Sequence, residues 1–178
     1  MAKNDISNGF TLIELLVVLA VIIIITGVVV FNIGAERQNS ALFRSAQNLS
    51  LNLRRAQNYS FSSKVFRNEG VPCGWGVHFN GINSTNYIIF ADLAVNQNCS
   101  DRDFIRAANG SEDFETVNFE TGITVNSLSG NLSDIVFTPP YSKVTFTPAQ
   151  LLASIALINK NSLTRAININ KTGFISSP

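Results

Sequence analysis

The stretch GFTLIELLVVLAVIIIITGVVVFNI, residues 9–33, decides the fold at the N-terminal end of this 178-residue chain. From Phe10 to Ile33 it runs for 24 residues, and Glu14 is its only charge. At about 1.5 Å per residue, a helix of that length measures about 36 Å and exceeds a hydrocarbon core of about 30 Å. We therefore predict a transmembrane helix over 10–33. A cleaved secretory signal fits less well, because its apolar core is only about 7–15 residues long and ends in a small-residue cleavage site.

Glu14 is the residue that a plain membrane anchor does not explain. A carboxylate near the centre of a bilayer costs at least about 2.5–3.5 kcal/mol, so it calls for a partner. A polar segment, residues 1–9, precedes Phe10. If the chain were cut between Gly9 and Phe10, the new α-amine would lie one helical turn before Glu14. The two charges would then neutralise each other, within one chain or between neighbours. The alternative for Glu14 is a tolerated charge near the membrane interface.

The residues from Gly9 to Val18 resemble the class III signal of type IV pilins and type II secretion pseudopilins. The likeness combines Gly9, the Phe10 that follows it, Glu14 one turn later and the apolar run. It implies cleavage after Gly9 by a prepilin peptidase and methylation of the Phe10 amine by the same class of enzyme. It also implies that Glu14 pairs with a neighbour's N-terminus in a filament. Many major pilins have a proline in the middle of this helix, whereas this chain has only Gly27 as a weak point.

The same resemblance implies a location and a set of partners. The chain would be a single-pass protein of the bacterial cytoplasmic (inner) membrane, with its C-terminal head outside the cytoplasm. Its partners would be other pilins or pseudopilins in a helical filament, the prepilin peptidase and an inner-membrane assembly platform. The assembled filament would be periplasmic or exposed at the cell surface.

The segment after the membrane helix, residues 34–62, keeps a helical pattern. Its apolar residues follow a 4-3-4-3 spacing that places them on one stripe, which we expect to pack on the chain's own head: Leu42, Ala46, Leu49, Leu53 and Ala56. Phe43 and Leu51 lie off this stripe and are available to filament neighbours. We predict one helix over roughly 11–60.

The remaining segment, 63–178, is predicted to be a β-rich head. Short alternating or β-branched runs are separated by turn signals, which is typical of an antiparallel sheet or sandwich. The predicted strands are 75–80, 87–91, 114–119, 123–127, 134–138, 143–147, 153–158, 165–170 and 174–176. For Leu151–Ile158 a short helix is the alternative. The fold class is therefore α+β, a long N-terminal helix packed on an antiparallel β-rich head.

Three segments of the head are similar to one branch of the pilin superfamily, the GspH/FimT-like minor pseudopilins and minor type IV pilins: Gly74–Phe79, Tyr87–Asp92 and Ile167–Ile175. This resemblance implies a minor structural subunit of a type IV pilus or of a type II secretion pseudopilus. Because the family topology puts the head outside the cytoplasm, where disulfides persist, we expect a Cys73–Cys99 bridge. It would close a loop of about 27 residues and contribute about 3 kcal/mol. Two buried free thiols are the alternative.

Other chemistry has little support in the sequence. With one histidine, two cysteines and no nucleophile motif, we expect no enzyme and no cofactor. By strand alternation, His78 faces away from Trp75 and belongs to a polar face. Asp92, Asp101 and Asp103 offer hard oxygen ligands, so calcium is a candidate there, against the alternative of a solvated polar loop.

Charge is segregated along the chain although the net charge is only +1. Residues 37–67 carry six basic side chains and no acids, residues 92–134 carry a net charge of −6, and residues 143–178 carry four basic side chains and no acids. Neighbouring subunits could therefore meet through opposite charges. Two other functions stay open: a DNA-capturing minor pilin that uses Arg165 and Lys171, and a singly anchored surface adhesin or receptor.

Overall fold

A computed structural model describes residues 10–94, 99–140 and 143–176, apart from the side chains of residues 29–33, 35 and 101. The described residues form one long helix, nine strands and two short 3-10 turns. These elements are α1 Leu12–Phe61, β1 Gly74–Phe79, β2 Asn86–Asp92, β3 Asp113–Asn118, β4 Thr124–Leu128, β5 Asp134–Thr138, β6 Lys143–Thr147, β7 Leu152–Ile158, β8 Thr164–Asn170 and β9 Ile175–Ser176, with 3-10 turns at Cys99–Asp101 and Ser129–Asn131. The chain divides into two compact units, Met1–Arg37 and Gln38–Pro178.

In the first unit the chain is helical from Leu12 to Arg37. No helix in the described part of the chain is both long enough and apolar enough to cross a membrane. The predicted transmembrane helix over 10–33 is therefore not found there. The side chains of residues 29–33, which belong to that prediction, are not described.

In the second unit, the predicted stripe on α1 is confirmed. Leu42, Leu49, Leu53 and Ala56 are fully buried and Ala46 is nearly so, because the 4-3-4-3 spacing keeps them on the face that packs on the sheets. Phe43 and Leu51, which lie off the stripe, are 41% and 59% exposed. The α+β prediction is also confirmed, since this part of the helix packs on antiparallel sheets.

The strands of the second unit form two antiparallel sheets. The five-stranded sheet has the order β3-β2-β1-β5-β6, and the four-stranded sheet has the order β4-β7-β8-β9. Leu152–Ile158 is a strand, so the alternative of a short helix there is wrong. Along β1, Trp75, Val77 and Phe79 are buried in the core that the helix shares with the sheets.

The opposite face of the five-stranded sheet is also covered. A Cβ built on Gly76 would lie 2.6 Å from the Phe90 ring and 2.8 Å from the Ile135 carbonyl oxygen, so only glycine lets Phe90 cross strand β1. The segment after the Cys99–Asp101 turn lies over this face, where the Arg106 N–H donates to Asp134 and the Thr147 hydroxyl donates to the Phe104 carbonyl. The predicted polar face around β1 is therefore largely enclosed.

The predicted disulfide is present. Cys73 and Cys99 are bonded, with their Cα atoms 5.3 Å apart. The bond joins the residue before β1 to the first residue of the Cys99–Asp101 turn. It therefore anchors the beginning of the segment that covers the outer face of the five-stranded sheet.

Candidate functional site at the start of helix α1

The first turn of α1 is organised by Thr11 and Glu14. The backbone N–H of Glu14 donates to Oγ1 of Thr11 at 3.3 Å, and the N–H of Leu15 donates to the Thr11 carbonyl at 3.3 Å. Thr11 is thus the N-cap, and Glu14 is the third helical residue of a Thr-x-x-Glu capping pattern. Phe10, which precedes the cap, is 84% exposed, and Glu14 is also exposed. Gly9 lies outside the described residues.

The helix that follows exposes apolar side chains on every side. The large apolar side chains from Leu12 to Val28 are between 48% and 78% exposed, with Leu12 the most exposed of them. Thr26 donates its hydroxyl hydrogen to the Ile22 carbonyl at 2.7 Å, which satisfies a polar group within the helix. α1 continues unbroken through Gly27. An apolar helical surface of this extent needs cover from lipid or from other helices.

The segregated charges of the second unit meet within the chain. Arg44 donates from Nε and Nη2 to the two carboxylate oxygens of Glu120, at 2.6 and 2.7 Å. Arg55 donates to Glu115 at 2.7 Å, while Arg67 donates to the Asp113 carbonyl at 2.8 Å. Arg44 and Arg55 thus already pair with carboxylates of the same chain, and the expectation that neighbouring subunits meet through opposite charges stays a prediction. These contacts form because Glu115 on β3 and Glu120, two residues after β3, lie beside α1.

His78 has a partner that the sequence did not indicate. Its Nδ1 lies 2.8 Å from Oδ1 of Asp134, and the two side chains are only 18% and 1% exposed. Asp134 is the residue paired with His78 across β1 and β5, so sheet register places both side chains on the same face. Strand alternation correctly predicted that His78 faces away from Trp75. Only the register between β1 and β5 shows that His78 contacts Asp134.

Two more carboxylates are buried on this side of the sheet. Asp92 is fully buried, and neither of its carboxylate oxygens has a hydrogen-bond partner among the described residues. Burial, with nearby Glu112 and Asp103, raises the pKa of Asp92 to about 7. Burial also raises the pKa of Glu112, although its two oxygens accept N–H groups from Leu93 and Ala107. The burial of Asp92 had a signal in the sequence, because Asp92 directly follows the apolar run Tyr87–Ala91 and ends the buried strand β2.

The calcium candidates do not form a centre in the described chain. Asp92 is enclosed, Asp103 is exposed and accepts the N–H of Ile105, and the side chain of Asp101 lies outside the described residues. Within the described residues there is no group of three or more His, Cys, Asp or Glu side chains that could hold a metal ion.

The two candidate DNA contacts are not brought together. Arg165 lies near the start of β8, where its guanidinium sits 4.9 Å from the centre of the Phe43 ring. Lys171 follows the last residue of β8 and lines a pocket with Lys143. At about 3.4 Å per residue, six residues of strand separate the two side chains by about 20 Å.

Comparison with known proteins gives one match, and it falls on the start of the chain. A family model described as the prokaryotic N-terminal methylation motif matches residues 6–30. No curated protein and no solved structure gives a significant match. The matched range includes Phe10, the Thr11 cap, Glu14 and most of the exposed apolar helix. The chain therefore carries a prepilin-type N-terminal methylation motif, which supports a type IV pilin-like protein that is processed by a prepilin peptidase and assembles with other pilins.

Proposed function

We propose that this chain is a minor, pilin-like structural subunit of a type IV pilus or of a type II secretion pseudopilus, with no catalytic activity of its own. A prepilin peptidase cuts it after Gly9, and the new amine of Phe10 is methylated. The mature subunit is held in the cytoplasmic membrane and then in a filament by its N-terminal helix, with the second unit outside the cytoplasm. Its branch within the superfamily is the GspH/FimT-like group.

The observation that carries this proposal is the match of the N-terminal methylation motif to residues 6–30. The geometry of the first turn agrees with it. Phe10 is exposed just before the N-cap, so a backbone cut there leaves the first turn of α1 intact. Glu14 is exposed one turn later, and the large apolar side chains from Leu12 to Val28 on the same helix are accessible to a neighbour.

The Glu14 carboxylate gives assembly its direction. A helix that moves from lipid into a filament exchanges one apolar environment for another, so burial alone favours no axial position. A carboxylate and an amine that enter a low-dielectric environment are each costly when unpaired, and pairing removes that penalty. An incoming subunit whose Glu14 meets a neighbour's Phe10 amine is therefore held in register.

Processing provides the direct test. Intact-mass measurement on protein from membranes that contain the peptidase should find a chain that begins with methyl-Phe10 and lacks residues 1–9. Gly9→Ala should slow the cut, because it adds a Cβ where the peptidase approaches the backbone. If the chain in such membranes were full-length and started at Met1, the proposal would be wrong, and a singly anchored adhesin or receptor would be the remaining function. The DNA-capturing function is not proposed, because Arg165 and Lys171 lie at opposite ends of β8.

A further inference from the structure

The second unit has a corner where exposed apolar side chains and lysines occur together. We call it the β8–β9 corner and define it as Lys143, Leu151, Leu152, Lys171 and Phe174. Leu151 is 77% exposed, Phe174 is 68% exposed and Leu152 is 54% exposed. Leu151 and Phe174 are two of the three most exposed large apolar side chains among the described residues of this unit. Single exposed apolar residues are ordinary, but a group at one corner indicates a contact surface.

The fold brings these residues together from three elements. Leu152 at the start of β7 pairs with Asn170 at the end of β8. The Asn170 side-chain oxygen accepts the N–H of Phe174 at 3.0 Å, and the Asn170 N–H donates to the Phe174 carbonyl at 3.2 Å, so the chain turns back tightly. This turn presents Lys171 toward β6.

The lysines share one pocket at this corner. Lys143 and Lys171 line a cavity of about 320 Å³ together with Gln150 and Phe146. The Gln150 Nε2 is buried and has no acceptor among the described residues.

The corner is positively charged without local compensation. Lys143 and Lys171 form no ion pair within the described residues, whereas Arg44, Arg55 and Arg106 each contact a carboxylate. None of the residues that line the pocket is acidic, and residues 143–178 contain no Asp or Glu at all. A partner for this corner should therefore be anionic.

We propose that the β8–β9 corner binds the surface of a membrane that contains anionic phospholipid headgroups. Lys143 and Lys171 contact the phosphates, while Leu151, Leu152 and Phe174 enter the boundary between headgroups and acyl chains. Each lysine near an anionic surface raises the partition into it by about five-fold. This inference concerns the second unit alone and does not depend on the filament proposal.

The apolar residues favour lipid over a nucleic acid strand. Single-stranded nucleic acids bind to basic grooves by stacking their bases on aromatic rings. Of the residues that define the corner, only Phe174 offers an exposed ring, and Leu151 and Leu152 provide none. The Phe104 ring that lines the pocket is already covered by the Arg102 guanidinium at 4.8 Å. Aliphatic side chains instead gain by leaving water for hydrocarbon.

The test uses the full chain held by its N-terminal helix in nanodiscs of zwitterionic phosphatidylcholine. The nanodiscs are mixed with vesicles, and binding is measured by co-flotation. One set of vesicles contains phosphatidylcholine alone, and the other contains about one third phosphatidylglycerol. We expect binding to the anionic vesicles that falls as salt is raised. Lys143→Gln with Lys171→Gln should reduce it by about 30-fold, and Leu151→Ser with Leu152→Ser by about ten-fold or more.

The matched control lies at the other end of the same β7–β8 hairpin. Lys160→Gln with Leu163→Ser changes the same residue types, at a turn where Leu163 is 45% exposed, and should leave binding unchanged. Trp75 fluorescence checks that each variant is folded. Equal loss in the control, or equal binding to neutral and anionic vesicles, would overturn the proposal. The chain could instead bind a labelled single-stranded oligonucleotide and no vesicles. If the corner variants abolished that binding, the ligand of the corner would be a nucleic acid and not a lipid surface.

Discussion

The Glu14 backbone N–H donates to the Thr11 side-chain oxygen at 3.3 Å, so these two residues form the N-terminal turn of α1. This position gives the Glu14 carboxylate a local role, because an acidic residue in the first turn interacts favourably with the N-terminal end of the helix dipole. In a capping pattern, Glu and Gln are both accepted at this position. The proposed pairing with an amine, in contrast, requires the charge. The two roles can therefore be separated by substitution.

Glu14→Gln should be exported, cleaved after Gly9 and folded, yet fail to join filaments or to co-purify with neighbouring subunits. The amide retains the capping geometry, but it leaves the neighbour's amine without a counter-charge, at a cost of about 3–5 kcal/mol if the pair is fully buried. Glu14→Asp, whose carboxylate is one carbon short, should be intermediate. Immunoblotting of sheared or cross-linked filaments measures incorporation.

The control for this prediction is Thr11→Val, which removes the cap but keeps the charge. It should weaken the first turn by about 1 kcal/mol and leave filament incorporation close to that of the unchanged chain. If Glu14→Gln entered filaments normally while Thr11→Val did not, Glu14 would be a capping residue and the amine pairing would be wrong.

Two glycines should respond to alanine in different ways. Gly76→Ala places a Cβ against the Phe90 ring and a backbone oxygen, so it should lower the free energy of unfolding by about 1–3 kcal/mol. Gly27→Ala meets no described atom within 4 Å and should leave the second unit unaffected. Thermal unfolding followed by the fluorescence of Trp75, the chain's single tryptophan, reports on the second unit. Equal melting temperatures for the two variants would contradict the close packing at Gly76.

Removal of the disulfide should loosen the segment that covers the outer face of the five-stranded sheet. Cys73→Ser with Cys99→Ser should lower the free energy of unfolding by about 3 kcal/mol, because the bond closes a loop with a sequence separation of 26. In unreduced protein from the native host, alkylation followed by peptide mapping should label neither cysteine. Labelling of both would show that the bond does not form there.

Asp92 should make stability depend on pH in the direction opposite to most carboxylates. Burial raises its pKa from 3.8 to about 7 in the folded chain. Its contribution is therefore fully present below pH of about 4 and is lost as the pH rises through about 7, a difference on the order of 4 kcal/mol. Asp92→Asn should raise the free energy of unfolding at pH 8 and not at pH 4, as measured by urea unfolding.

Asp103→Asn is the matched control for Asp92, because Asp103 is exposed and contributes less than burial does to the raised pKa of Asp92. It should change the pH dependence much less. The same pH dependence in Asp92→Asn and in the unchanged chain would show that Asp92 is ionised in the folded state at neutral pH.

Much of the secondary structure could be predicted, because it depends on short-range patterns. The spacing of Leu42, Leu49 and Leu53 was sufficient to identify the buried face of α1, and strand alternation placed His78 opposite Trp75. The pairing of strands could not be predicted in this way. The order β3-β2-β1-β5-β6 joins β1 to β5, and that register, rather than any local pattern, puts Asp134 beside His78.

The sequence by itself determined the long helix, the prepilin-type start with Phe10 and Glu14, and the two cysteines that bond. Each of these depends on residue types at fixed spacings or, for the bond, on the compartment that the motif implies. Only the tertiary structure decided that Arg44 meets Glu120, that Asp92 is enclosed without a partner, and that Lys143 and Lys171 share a pocket. These contacts join residues far apart in the chain. They exist because two sheets pack on one helix and a further segment covers the outer face of the five-stranded sheet, and no local periodicity specifies which strand edges become neighbours.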